Sequence, residues 1–443
     1  MKLSFHGGTR EVTGACYLLE TGRAHILFDC GLFQGSSDID DLNFEPFGFK
    51  PRQIDALVVT HGHLDHVGRI PKLVKEGFRG TIFSTAPTRE LAEALLGDAM
   101  GIAQREGKEL YGTDDLKKTF DLWQDVSYDQ RFQAGDARIM LANAGHILGS
   151  SLAHCQVGEV RLLVASDLGN VPSVLLPLPS VVRGVTHLVI ESTYGSREHE
   201  SEEERVLKLE RAVEDAASRR GTLMIPAFAT ERTQDILFLL NQMLYFKRIP
   251  EIPVFVDSPL AIRVTEVYER YTEYYKEEIR GLYKEHPNLF RFKKLRLTEK
   301  TEESKAINDI PPPKVIIAGS GMLNGGRILH HLKRYLPDAN SILLVVGYQS
   351  AGSLGRRLVD GEDMVKIFGE DIPVKAEIRK VNGFSAHADN PELFQFVQQT
   401  KDTLKHVFMI HGEEAQALHF MHEVRDRLGV QADAPTMGQE FEL

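Results

Sequence analysis

Six consecutive residues, His61-Gly62-His63-Leu64-Asp65-His66, carry three imidazoles and a carboxylate. A lone histidine is more often a packed or surface residue than a ligand. Four ligand-type side chains in six positions are different, because that crowding serves neither core packing nor helix propensity. Imidazole and carboxylate together suit zinc, with iron or manganese as alternatives. The hexapeptide alone cannot satisfy two ions. Further ligands then come from elsewhere, and Asp29, His146, Asp167 and His411 are the candidates, each in a turn or at a strand end. For Asp29 a plain turn residue is the competing reading.

These residues need a scaffold that brings them together. Several apolar, β-rich runs end in a polar residue fit for chemistry: Ala24–Phe28 before Asp29, Ile54–Thr60 before His61, Arg161–Ser166 before Asp167, Val185–Ile190 before Glu191, and Lys405–Ile410 before His411. Sites in α/β sheets gather beyond the carboxyl ends of strands, so five such endings predict one site built by many loops. After Glu191 the pattern changes. Ser201-Glu202-Glu203-Glu204 reads as a capping box opening an amphipathic helix to about Arg220, its acidic run a solvated first turn. Thr222–Pro226, Pro253–Val256, Lys314–Ala318 and Ser341–Gly347 read as buried strands with helices between several of them, which predicts a parallel sheet. The polar stretch Thr301–Pro313, ending in three prolines, is expected to be a loop.

Composition sets the bounds. A chain of 443 residues, 42% hydrophobic and 26% charged, suits two or more soluble α/β domains. No apolar run approaches the ~20 residues of a membrane helix, and Met1–His6 starts like a strand instead of a signal peptide. No membrane association and a cytoplasmic location are therefore expected. Cys16, Cys30 and Cys155 are too few and too scattered for a disulfide framework. The net charge of −11 weighs against a generic nucleic-acid binder, but a groove and its metal ions can supply positive charge locally.

His61-x-His63-x-Asp65-His66 resembles the signature of the metallo-β-lactamase superfamily. Asp29 is similar to its first motif, His146 in Ala144-Gly145-His146 to its third, and Asp167 to its fourth. Glu191-Ser192-Thr193-Tyr194-Gly195, Gly383-Phe384-Ser385-Ala386-His387-Ala388-Asp389 and His411-Gly412-Glu413 resemble motifs A, B and C of the β-CASP group. Asp257–Ala261 and Gly319–Met322 look typical of that group's inserted domain. The form of motif B resembles the pre-mRNA 3′-end-processing endonucleases and their prokaryotic relatives. It departs from the His-x-Ser-Gly-His of 5′-exonucleolytic members. His411 stands where DNA-repair members usually carry valine.

The resemblance implies an α/β fold: an αββα metallo-β-lactamase sandwich from residues 1–195 and 381–443, with an inserted α/β β-CASP domain over 196–380 and the active site in a cleft between them. It implies two zinc ions per chain, with manganese as an alternative. His61, His63 and His146 would hold one ion, Asp65, His66 and His411 the other, Asp167 would bridge them, and Asp29 would orient a ligand from behind. It implies hydrolysis of single-stranded RNA, mainly endonucleolytic, by a hydroxide shared between the ions, leaving 5′-phosphate and 3′-hydroxyl. Asp65 would orient the nucleophile, and His387 with Glu191 would protonate the leaving oxygen. Without the resemblance, His387 would read as a surface histidine. Further phosphate-binding candidates are Ser385, two residues before His387, Ser320 and Gly321 in an anion cradle after a strand, and Arg232. The cationic run Arg291–Arg296 reads first as a solvated face. Competing functions are a 5′–3′ exoribonuclease, a small-molecule ester or thioester hydrolase on the same fold, and a non-enzymatic scaffold.

Overall fold

Alternation in the short strands of the first half builds two sheets with a shared apolar interior. In the computed structural model, which describes residues 1–347, 349, 352–381 and 383–443, both sheets are seven-stranded among the described residues. One runs Glu440–Glu442, Lys2–Phe5, Tyr17–Glu20, His25–Phe28, Ala56–Val58, Thr81–Ser84, Trp123–Asp125. The other runs Gln431–Asp433, His406–Ile410, His187–Glu191, Val160–Ala165, Ser151–Val157, Ala137–Asn143, Arg131–Ala134. Leu3, Phe5, Ile26 and Val58 of the first meet Ile139, Leu141, Val164 and Phe408 of the second in one buried cluster. The Phe5 and Phe408 rings join the sheets, 5.5 Å between centroids.

The alternate residues of each strand face outward and are covered by helices. Leu27, Leu57 and Ile82 pack beneath Leu73 of helix Ile70–Lys75 and Leu96 of helix Ala86–Glu106. Leu188, Ile190 and Met409 pack beneath helices Asn390–Thr400 and Glu414–Leu428 through Phe394, Val397 and Phe420. Helix, sheet, sheet, helix is the αββα order. These layers form one unit, Met1–Glu198 with Ala386–Leu443.

His199–Ser385 form a second unit. Its sheet runs Leu295–Leu297, Val254–Val256, Lys314–Ala318, Thr222–Pro226, Ile342–Val345, Glu377–Lys380, with every pairing parallel. The central strands are buried along their whole length, which accounts for their unbroken apolar runs. Helix Glu202–Arg219 opens with the Ser201 hydroxyl accepting from Glu204 N at 3.2 Å. One expectation fails: Thr301–Pro313 is not a loop throughout. Helix Thr301–Ala306 and the 3-10 turn Ile307–Asp309 occupy most of it. The Glu303 carboxylate accepts from the amides of Glu299 and Lys300 and closes the first turn, while buried Ile307 anchors the end. Among the described residues no helix is long and apolar enough to cross a membrane.

Candidate metal centre

Three parallel neighbours set the site. Ala165 lies opposite Ile190, and Glu191 opposite Ile410. Their carboxyl ends therefore deliver Asp167, Glu191 and His411 to one edge of the sheet. Asp29 follows strand His25–Phe28, and His61 follows Ala56–Val58. His63 is the N-cap of the short helix Leu64–Val67, which carries Asp65 and His66 in its first turn. Asp29 and His411 both adopt positive φ, 57° and 47°. Their backbones are held there by neighbours: Asp29 N donates to Val58 O, and His411 N donates to Gly8 O at 2.7 Å. Gly31 admits a close approach, since a Cβ there would lie 1.5 Å from Asp65 O.

The hydrogen bonds fix the rings. Fully buried Asp29 accepts from Thr60 N (2.7 Å), Thr60 Oγ1 (2.8 Å), Ser166 Oγ (2.8 Å) and His66 Nδ1 (2.9 Å). With its proton given to Asp29, the Thr60 hydroxyl accepts from His61 Nδ1 at 3.2 Å. His146 Nδ1 donates to Ala386 O at 3.2 Å. Thr193 Oγ1 donates to His411 O, and so accepts from His411 Nδ1 at 3.2 Å. Four imidazoles thus carry a proton on Nδ1 and a lone pair on Nε2, a tautomer assigned from partners.

Those lone pairs converge. His66 Nε2 is 3.3 Å from His411 Nε2, and His63 Nδ1 lies 3.0 Å from His61 Nε2 and 3.4 Å from His146 Nε2. Asp167 sits among them, with Oδ2 3.1 Å from His146 Nε2 and 3.4 Å from His61 Nε2, and Oδ1 3.2 Å from His66 Nε2. Asp65 Oδ2 lies 3.2 Å from His411 Nε2. Both oxygens of buried Asp167 lack a hydrogen-bond partner. An unsatisfied buried carboxylate ringed by imidazole lone pairs is costly without a cation, so this donor set fits metal ions. Two groups, His61 with His63, His146 and Asp167, and Asp65 with His66 and His411, each place ligand atoms within 4.8 Å of one another.

The electrostatics agree. Burial holds His63 down at about 3 and keeps His61 and His146 below the ordinary imidazole value, the neutral state a metal requires. Burial also opposes a charge on His66, yet Asp167, Asp65 and Asp29 draw it upward, a measure of how strongly the centre favours positive charge. Beside the centre, buried Glu191 accepts from Leu168 N at 2.6 Å and faces His387 Nδ1 at 3.0 and 3.1 Å. Burial disfavours the imidazolium, but Glu191 and then Asp167 outweigh it and push His387 up to about 9. Cations beside Asp167 act the other way.

The weaker candidates lie in the second unit or at its end. Ser385 is its last residue. Gly319-Ser320-Gly321 follows strand Lys314–Ala318, in a turn closed by Ser320 N to Gly325 O and Ile328 N to Gly319 O. Arg232 opens helix Arg232–Tyr245, buried and 3.3 Å from Glu231. In the cationic run, Arg291 is paired with Glu269 and Lys293 with Glu251, as befits a solvated face. Sequence reasoning passed over Thr60, Ser166 and the Thr193 hydroxyl as ring-orienting groups. Their only signal was adjacency: Thr60 precedes His61, Ser166 precedes Asp167, and Thr193 lies in the Glu191 motif.

Fold and site together define a metallo-hydrolase of the αββα class. Residues 9–213 match the family described as "Metallo-beta-lactamase superfamily", residues 233–358 the "Beta-Casp domain", and residues 371–435 the "Zn-dependent metallo-hydrolase RNA specificity domain". Ribonuclease TTHA0252 of Thermus thermophilus is 40% identical over 419 residues, covering 94% of each chain. Transcription termination factor FttA of Methanocaldococcus jannaschii is 33% identical over 439 residues, covering 96% of this chain and 69% of its own. A crystal structure of a protein of unknown function from Enterococcus faecalis V583 shares the fold, with a TM-score of 0.59 and 14% identity over 100% of this chain and 99% of that one. The chain belongs to the β-CASP family of the metallo-β-lactamase superfamily.

Proposed function

We propose that this protein is a di-zinc ribonuclease that cuts single-stranded RNA, chiefly at internal bonds, leaving 5′-phosphate and 3′-hydroxyl. The observation that carries the reading is Asp167, buried with both oxygens unsatisfied among five histidines, next to the Glu191–His387 pair. In this reading His61, His63 and His146 hold one ion, Asp65, His66 and His411 the other, and Asp167 both; manganese is the alternative metal. Bound ions supply Lewis acidity, bringing the pKa of water near 7 and offsetting phosphate charge.

The chain's own residues do the rest. Asp29 holds His66 in the tautomer that presents Nε2. Asp65 orients the attacking water. His387, kept charged by Glu191, donates to the leaving 3′-oxygen, and Glu191 stabilises the ring in both states. Ser385 donates to the scissile phosphate, with Ser320, Gly321 and Arg232 as further phosphate contacts. RNA as substrate is supported by the matched RNA specificity domain and by the relative named a ribonuclease. Internal cleavage is supported by Gly383–Asp389, which lacks the His-x-Ser-Gly-His of exonucleolytic members.

The test is a zinc-loaded protein incubated with one RNA labelled at the 5′ or the 3′ end, beside the Asp65→Ala/His66→Ala double variant. Internal fragments from both labels, absent with the variant, are expected. A labelled mononucleotide released from the 5′ end at the outset would overturn the endonucleolytic mode. No cleavage by a fully metallated protein would overturn the ribonuclease reading, and turnover of a thioester or lactone would replace it.

A further inference from the structure

A cavity lies on the outer face of the Arg131–Asn143 sheet region, sharing no residue with the metal centre. Side chains alternate along a strand, and the register sets two rows across this face. Arg131 lies opposite Met140, and Met140 opposite His154. Arg138 lies opposite Gln156, and Gln156 opposite Arg161. The intervening residues Ile139, Leu141 and Cys155 face the sandwich core. Val181, Val182 and Arg183, in the segment after Ser180, wall one side, enclosing a cavity of about 300 Å³.

The cavity's polar groups are unspent. The guanidinium groups of Arg131, Arg138 and Arg183 have no hydrogen-bond or ion-pair partner among the described residues. Other arginines on this acidic chain have acidic partners, among them Arg356 with Asp360, Arg357 with Glu362, Arg379 with Asp215 and Arg425 with Asp433. His154 Nε2 is buried and also lacks a partner. Burial, with Arg161 and Arg131 nearby, pulls this imidazole below its ordinary value, so the ring is neutral and offers one N–H. Asp129, on the rim, pairs with none of the arginines. Three free guanidinium groups around a buried donor, with Val181 and Val182 as an apolar wall, match a phosphate carrying an organic group.

The position links this cavity to the metal centre. Asn143 Nδ2 donates to Pro177 O and Leu178 O, and Ser180 N donates to Asn143 O. The segment leading to Arg183 therefore starts against the turn that carries His146. Arg138 lies about 17 Å further along the same strand, at roughly 3.4 Å per residue.

We propose that this cavity is a nucleotide-phosphate site, taking a phosphate of the RNA strand that flanks the cleaved bond. This rests on the ribonuclease reading for the source of the phosphate, and not for the site's chemistry, since a free mononucleotide offers the same group. The test uses the full chain with Asp65→Ala as the cleavage-dead background, with and without Arg131→Gln/Arg138→Gln/Arg183→Gln. All three side chains are exposed, so the fold is not at stake, and an unchanged thermal midpoint checks this. Oligouridine binding is measured by anisotropy over a range of salt, and AMP binding by calorimetry.

The triple variant is expected to bind oligouridine roughly tenfold more weakly. Its slope of log K against log salt should fall by about 0.7, for one phosphate lost from a single strand. His154→Gln should weaken binding in the same direction without changing the slope. Unchanged oligouridine binding with AMP binding lost would keep the site and assign it to free nucleotide. Unchanged binding of both probes would overturn the proposal. Cleavage by the wild-type protein is scored separately, so a failed ribonuclease reading leaves the AMP result interpretable.

Discussion

Asp29→Asn is a change of one atom, and its effect can be worked from the partners of the carboxylate. Asp29 accepts four hydrogen bonds, from Thr60 N on one oxygen and from Thr60 Oγ1, Ser166 Oγ and His66 Nδ1 on the other. An amide can keep its oxygen toward Thr60 N, and its NH2 group then faces the other three. Both hydroxyls can rotate and accept. The imidazole can accept only by moving its proton to Nε2, the atom 3.2 Å from Asp167 Oδ1 and 3.3 Å from His411 Nε2. The lone pair aimed into the centre is lost. The flipped amide instead sets its NH2 against the buried Thr60 N–H, and an unmade hydrogen bond of that kind costs about 1–3 kcal/mol. On the di-zinc reading the first outcome would weaken one ion by about 10–100-fold, and the second destabilises the metal-free protein. Zinc titration against a competing chelator separates the two equivalents, urea unfolding of metal-free protein reports the second outcome, and nitrogen shifts of His66 report the tautomer. The reasoning is refuted if both zinc affinities, the metal-free stability and the His66 tautomer are all unchanged.

His387→Ala and Glu191→Gln should each lower kcat for RNA cleavage by about 10²–10⁴ while bound zinc, measured by atomic absorption, stays at the wild-type level; zinc lost in step with activity would place them among the ligands instead. Chelation should abolish cleavage and lower the thermal midpoint, with both restored by added zinc, and a midpoint indifferent to chelator would argue against metal binding to the folded state. Gly31→Ala drives a Cβ to 1.5 Å from Asp65 O, so its thermal midpoint should fall further than that of Ser201→Ala, a cap loss worth about 1 kcal/mol. Asp235 is pushed up by burial to about 6, against the opposing pull of Arg232; with a folded pKa above the unfolded value, its stabilising contribution is present below pH ~4 and is lost as pH rises through about 6. Unfolding curves of Asp235→Asn should therefore lack that decline, and parallel curves for the two proteins would show that Asp235 titrates normally.

Asp29, His61, Asp167, Glu191 and His411 stood out because each sits where an apolar run stops, and His63, Asp65 and His66 because they crowd behind His61. Asp167, Glu191 and His411 end parallel neighbours, and a run such as Leu-Val-Ile-Glu or Phe-Met-Ile-His announces that ending without knowledge of the pairing. The sheet order was not legible, since nothing local says that Glu191 and Ile410, far apart in sequence, are partners. Helix Thr301–Ala306 was masked by its composition: a short polar helix shows no apolar stripe, and the Glu303 side chain that starts it acts through backbone amides. The orienting groups were invisible for another reason. Thr60, Ser166 and Thr193 are ordinary residues just past strand ends until the fold turns their hydroxyls toward Asp29 and His411. The Arg131–Arg183 cavity belongs with them, its arginines drawn from strands and a loop that no motif connects.

The position of His387 explains how the site tolerates the insertion of an entire unit before it. The chain leaves the sandwich after Glu198 and returns at Ala386, and both passages are pinned within the sandwich. Asn390 N donates to Arg197 O, and Asn390 Nδ2 donates to Gly195 O at 2.7 Å. Gly169 bridges His387, flanked by Asn170 N to Ala386 O and Ala388 N to Leu168 O. The same short segment, Leu168–Asn170, thus follows Asp167, donates to Glu191 and holds His387. Once the exit and return are fixed, the closure entropy grows only slowly with the length between them, so a self-contained unit can occupy the gap without moving the ring. The alignment of His387 on Glu191 is then a property of the sandwich alone, set by the strand end that carries Asp167. It follows that a change in Leu168–Asn170 that weakens RNA cleavage should act through kcat.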